Sequence, residues 1–195
     1  MRPRVEALQC SIVETAATCV VNASNESATL GGGVSRALLD ECGAALRLEM
    51  HAKLERDFDG VLEEGDCLVT TAGASTKIRF VLHVPAFDDR LSKSRPGVCG
   101  IERTLTSAER VQACTEAALR SASELGSGAP VTVAIPLLGA GAGGLSPAVA
   151  CRAMIEGVRA FLREEPSPPL DAILFAIPEG DRFELCAKLV HDAFG

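Results

Sequence analysis

Residues 19–34 read Cys19-Val20-Val21-Asn22-Ala23-Ser24-Asn25-Glu26-Ser27-Ala28-Thr29-Leu30-Gly31-Gly32-Gly33-Val34. Cys19-Val20-Val21 has the unbroken apolarity of a strand covered on both faces. From Val34 to about Asp57 the spacing predicts helix, interrupted near Gly43. A strand that runs through glycines into a helix is the unit from which parallel sheets are assembled. Its loop lies at the carboxyl end of the strand, where open α/β sheets bind ligands. The glycines let the backbone approach a ligand closely and turn successive N–H groups toward an anion. The helix start behind them adds partial positive charge without any lysine or arginine.

The same arrangement occurs a second time. Ile135-Pro136-Leu137-Leu138-Gly139-Ala140-Gly141-Ala142-Gly143-Gly144-Leu145-Ser146-Pro147 again ends a buried strand in glycines. Ser146 as N-cap and Pro147 at the first helical position then start a helix. Two such loops facing each other suit a diphosphate. Neither carries G-K-[ST], which disfavours a P-loop triphosphatase. Residues 139–144 also match G-x-G-x-x-G, the dinucleotide fingerprint. The match falls late in the chain, however, and the next strand offers only Glu179 as an acidic ribose ligand. A bland alternative makes both loops tight turns.

The rest of the chain repeats strand and helix. Strands are expected at residues 5–12, 66–70, 78–84, 131–138 and 170–177. Residues 88–103 read as a polar surface loop in which Arg90, Lys93, Arg95 and Arg103 stand in solvent or meet an anion. Thr106-Ser107-Ala108-Glu109 forms a capping box that opens a helix ending near Gly126. Met154, Val158, Phe161 and Leu162 give the Ser146 helix one apolar face, and Phe183, Ala187, Val190 and Phe194 mark a last helix. No repeat or linker divides residues 1–195, so a single α/β layered domain with a mixed, mostly parallel sheet is expected.

Composition narrows the partners. The 195 residues carry 19 Lys+Arg against 26 Asp+Glu, a net charge of −7, with neither Trp nor Tyr. That field repels polynucleotide phosphate, and base-stacking rings are scarce, so nucleic acid is an unlikely partner. No apolar run approaches the ~20 residues of a membrane span, and Met1-Arg2-Pro3-Arg4 leads into a strand-like stretch without the apolar h-region or small-residue cleavage pattern expected of a signal peptide. The eight cysteines are scattered without C-x-x-C or zinc spacing, which implies reduced thiols, a cytoplasmic location and no metal.

The two asparagines of the first loop have different prospects. Asn22 reads as a loop-organising amide. Asn25 lies one position further into the crevice and suits a sugar hydroxyl, since an amide both donates and accepts. It does not titrate near neutral pH, so it positions a ligand or water and is no base.

With these residues on the page, the chain resembles the macrodomains, the ADP-ribose-binding family. The segment from Cys19 to Asn25 followed by Gly31-Gly32-Gly33-Val34 is similar to the family's V-N-A-A-N…G-G-G-V signature. Phe80-Val81-Leu82-His83-Val84 resembles its I-H strand, and residues 139–144 its second phosphate loop. The resemblance implies a three-layer α/β/α sandwich holding ADP-ribose, free or protein-linked, between the loops, with no cofactor. Gly31, Gly32, Gly33 and Val34 would hold the diphosphate together with Leu138, Gly139, Ala140, Gly141, Ala142, Gly143 and Gly144. Asn25 would hold the distal ribose and act in catalysis, and Asn22 would join the ligand-binding residues. Ser11 and Ile12 would stand at the adenine, with Pro178 on the adenine wall. It further implies hydrolysis of ADP-ribosyl esters or of O-acetyl-ADP-ribose.

Three departures temper this. Ser11 stands where the family has an adenine-binding Asp, a loss worth ~1–3 kcal/mol unless Glu14 or another group substitutes. Gly143 replaces an aromatic residue at the distal ribose and leaves that pocket open. Ser35 replaces the Asp that one hydrolase class carries, while Asp40 and Glu41 read as a solvated helix face. The matching residues thus include no protein base, and a phosphate oxygen of the ligand would activate the water. A non-catalytic reader and a binder of another nucleotide diphosphate are the alternative functions.

Overall fold

The computed structural model describes residues 2–93 and 104–195. A six-stranded sheet has the order β1-β6-β5-β2-β4-β3. Its strands are β1 (Arg4–Leu8), β2 (Cys19–Ser24), β3 (Leu68–Thr71), β4 (Phe80–Pro85), β5 (Val131–Pro136) and β6 (Leu170–Ala176). All neighbours are parallel except β3, which runs antiparallel to β4 at the edge. The two ends of the chain meet in this sheet, because β1 pairs with β6 in the register Val5↔Ile173.

Alternation along each strand separates two cores. Cys19, Val21, Val133, Ile135, Ile173 and Phe175 face one side with buried residues of α4 (Ala108–Leu125), α5 (Pro147–Glu164) and α6 (Gly180–Phe194). Val20, Val81, Ala134, Ala172 and Leu174 face the other, against Leu38 of α1 (Gly33–Cys42) and Leu46, Met50 and Leu54 of α2 (Ala44–Phe58). The interior strands are apolar on both sides because both sides are covered, which is the three-layer α/β/α sandwich expected above. A short α3 (Arg90–Lys93) follows β4.

Local signals account for the element ends. Gly43 lies between α1 and α2 at φ 75°, a left-handed conformation that stops one helix and starts the next. Ser146 accepts the Val149 N–H at 3.4 Å, and Pro147 follows it.

Strand ends fall within two residues of the sequence reading at β3 to β6, and two boundaries differ in kind. β1 stops at Leu8, and Ile12 opens a 3₁₀ turn, Ile12–Glu14, in which the Ser11 N–H donates to Glu14 Oε2 at 2.8 Å. α4 is capped by Ser107, which accepts the Arg110 N–H at 3.1 Å. Thr106 is buried instead, and its hydroxyl lacks a partner. Within the expected loop at residues 88–103, Arg90 opens α3, while Arg95, Arg103 and residue Cys99 lie outside the described residues.

Candidate functional site: a cleft across the strand ends

Five parallel strands end on the same side of the sheet, and the segments that follow them enclose a cleft of about 660 Å³. Strand order sets the sequence of its walls. Ser11 and Ile12 follow β1, and Ile177, Pro178 and Glu179 follow β6. Leu137, Gly139, Gly141, Ala142 and Gly143 come next, after β5. Asn25, Thr29 and Gly31 to Val34 follow β2, and Phe87 and Asp89 follow β4. The cleft therefore has a β1/β6 end and a β2/β4 end, with the two glycine loops between them.

Most of the expected site residues line this cleft: Ser11, Ile12, Asn25, Gly31, Gly32, Gly33, Val34, Gly139, Gly141, Ala142, Gly143 and Pro178. Asn22, Leu138, Ala140 and Gly144 do not. Leu138 is buried in the core, where strand apolarity would put it.

The first loop has the features of an anion cradle. α1 begins at Gly33 with Gly32 as N-cap, no capping side chain and no acidic residue in its first turn. Its first N–H groups thus keep their donors and their partial positive charge. A Cβ at Gly31, Gly32 or Gly33 would meet nothing within 4 Å, so the glycines leave an open approach to those donors.

The second loop is closed from behind. Gly139 and Gly144 are at φ 76° and 80°, and the Leu145 N–H returns to the Gly139 carbonyl at 3.0 Å. Gly143 packs on Gly139 and on the Thr106 methyl, leaving no room for a Cβ. Gly143 lines the cleft with its backbone, and a side chain there would point into the loop. The aromatic ring at this cleft is Phe87, reached from β4.

Asn25 is buried and its amide shapes the loop. Its Oδ1 accepts the Thr29 N–H at 2.8 Å, and its Nδ2 donates to Asp89 Oδ2 at 2.8 Å and to Thr29 Oγ1 at 3.4 Å. Ala28, between them, takes φ 50°, a left-handed conformation rare for a residue with a Cβ. Asn22 lies behind the cleft wall in a buried relay. The Ser35 hydroxyl donates to its Oδ1 at 2.8 Å, and its Nδ2 donates to His83 Nδ1 at 3.0 Å. The His83 ring must then be neutral, with its Nε2–H directed at Thr70 Oγ1, 3.0 Å away. Burial pushes the His83 pKa down to about 3, which keeps it in that form. The relay fixes the start of α1 to β2, β4 and β3.

At the β1/β6 end, Glu14 does not reach the cleft, since its carboxylate is turned to the Ser11 N–H. Glu179 and Arg182 line that end instead. Asp40 pairs with Arg36 at 3.0 Å and Glu41 accepts from Ser75 at 2.8 Å, both away from the cleft. Among the described residues no group of three His, Cys, Asp or Glu side chains is placed to hold a metal, and no helix is long and apolar enough to cross a membrane.

Comparison with known proteins agrees with this fold. The Macro domain model matches residues 21–154. An uncharacterized protein of Aquifex aeolicus (strain VF5) is 31% identical over 157 residues, 80% of this chain and 82% of that protein. Among solved structures, an Oceanobacillus iheyensis macrodomain with ADP superposes with a TM-score of 0.75 at 17% identity, covering 96% of this chain and 90% of that one. A Trypanosoma brucei macrodomain in complex with ADP-ribose gives 0.70 at 22%, covering 97% and 74%.

Proposed function

The chain belongs to the Macro domain family, and from that premise we propose that it binds ADP-ribose, free or protein-linked, and hydrolyses ADP-ribosyl or O-acetyl-ADP-ribose esters. The observation that carries the reading is the uncapped start of α1. It stands behind three glycines with open Cβ positions, across a cleft from the second loop. An uncapped helix start facing a second glycine loop suits a diphosphate. Relatives of this fold have been solved with ADP and with ADP-ribose.

On this reading the adenine occupies the β1/β6 end, against Ile12 and Pro178, and the distal ribose the β2/β4 end, at Asn25. Both Asn25 donor hydrogens and one acceptor site are engaged, so the amide meets a ribose hydroxyl through the second lone pair of Oδ1. The Glu179 carboxylate supplies the acceptor that Ser11 lacks for the adenine amino group. Residues 1–195 form one such domain, supported by the β1–β6 pairing that joins the chain ends. A cytoplasmic location goes with it, supported by seven free thiols among the described residues, five of them buried.

The test is release of ADP-ribose from protein mono-ADP-ribosylated on glutamate, and from O-acetyl-ADP-ribose. Release of ADP-ribose from either one supports hydrolysis. Tight binding with no release from either leaves a reader. A second reading, another nucleotide diphosphate, is favoured by Ser11 together with Arg182, which lines the same cleft and pairs with Glu179 at 3.8 Å. A thermal-shift panel of nucleoside diphosphate sugars with a non-adenine ligand ahead of ADP-ribose would establish it.

A further inference from the structure

The β2/β4 end of the cleft contains a carboxylate that the family resemblance does not supply. We propose that Asp89 is the general base of this site, activating the water that attacks the distal ribose. The inference rests on the reading above, since it needs that ribose at Asn25.

Position is the first argument. Asp89 lines the cleft and its Oδ2 accepts from Asn25 Nδ2 at 2.8 Å. Among the described residues the titratable group joined to the ribose-positioning amide is therefore a carboxylate, and a carboxylate can take a proton where an amide cannot. It accepts several hydrogen bonds at once, an amide and a water among them. Phe87, two residues earlier, gives this end an apolar wall that limits bulk water.

Rigidity is the second. The Asp89 N–H donates to Glu26 Oε2 at 2.9 Å, which ties the segment to the first loop. The preceding Asp88 N–H donates to the Leu105 carbonyl, and the Leu105 N–H to the Gly143 carbonyl, each at 2.9 Å. Asp88 itself is gripped by Arg90 at 2.8–3.2 Å, and Arg90 reaches Glu63 with two bonds of 2.9 Å. Asp89 is thus fixed to both glycine loops, as a base that must meet one water requires.

Position in the cleft, and not vacancy, separates Asp89 from the neighbouring carboxylates, which like it have partners of their own. Glu26 is committed to the Asp89 N–H and Ser27, Asp88 to arginines, and Glu179 lies at the opposite end.

In the step, the water oxygen forms a bond to C1″ as the C1″–O bond to the acyl group breaks. The electron pair of that bond leaves with the target's carboxylate. The proton of the water passes to Asp89 and then to solvent, giving ADP-ribose and a free carboxylate.

The experiment compares wild type, Asp89→Asn and Asp89→Glu in two assays: calorimetric binding of ADP-ribose, and release from glutamate-linked mono-ADP-ribosylated protein. Asp89→Asn is expected to bind within about threefold of wild type and to lose about 10²–10⁴-fold in kcat. Asp89→Glu should recover at least about tenfold of that loss. Asp89→Asn turnover within tenfold of wild type would overturn the assignment. So would parallel losses of affinity and rate in a variant with unchanged Tm, which would make Asp89 structural. Wild type that binds but releases nothing overturns the base while the binding reading stands. Wild type that does not bind ADP-ribose overturns that reading itself.

Discussion

A Cβ built on Gly143 would stand 2.6 Å from the Gly139 carbonyl oxygen and 2.7 Å from the Thr106 methyl, whereas one on Gly31 would meet no protein atom within 4 Å. The first glycine is required by the fold and the second, on the present account, by the ligand. Gly143→Ala should therefore cost about 1–3 kcal/mol in urea unfolding as well as affinity. Gly31→Ala should leave stability within about 0.5 kcal/mol and lower ADP-ribose affinity at least about tenfold. Equal effects of the two in both assays would contradict the distinction. Sequence alone marked both as close-approach positions, because glycine content is local. Which atoms surround each Cβ is set by Thr106, more than thirty residues away. Asp89 was hidden for the same reason: its meaning comes from Asn25, to which only the β2–β4 pairing brings it.

At the scale of elements, helix α1 trades its own stability for a binding surface. Glycine at its N-cap leaves the terminal donors to a ligand. Gly32→Asp would supply a capping carboxylate and an opposing charge where the diphosphate is to sit. The expected outcome is a Tm equal to or slightly above wild type with ADP-ribose binding lost; calorimetry and a melt on the same sample check it. Retained binding would remove α1 from the site. Element identity was legible wherever glycine, proline and serine mark ends, as at Gly43 and Ser146. It differs at Ile12, where a local bond from the Ser11 N–H to Glu14 opens a 3₁₀ turn in place of strand, and at Thr106, where a tertiary contact under the second loop overrides local propensity.

Across the whole molecule, the relay Ser35–Asn22–His83–Thr70 links α1 through β2 and β4 to the edge strand β3. Its histidine is neutral in the fold, with a pKa near 3 against an ordinary 6.5. Between those values the unfolded chain binds the extra proton, so stability is full above about pH 6.5 and falls as pH drops toward 3. The slope from this one group reaches roughly 1.4 kcal/mol per pH unit. Arg90 holds the Asp88 carboxyl below the usual carboxylate range, which adds a loss of the same sign at lower pH. Urea midpoints from pH 7 to 4 for wild type and His83→Gln separate the two: a slope unchanged in the variant would assign the loss to carboxylates alone.

The cleft spans five strand ends, and the central claim is that it takes a ligand with a nucleoside at one end and a ribose at the other. Calorimetric titration with ADP-ribose, beside AMP and ribose 5-phosphate, tests it most directly. Micromolar binding of ADP-ribose, with each fragment at least about a hundredfold weaker, is the predicted result. AMP binding as tightly as ADP-ribose would contradict the two-ended cleft, and no detectable heat with any of the three would contradict the ligand itself.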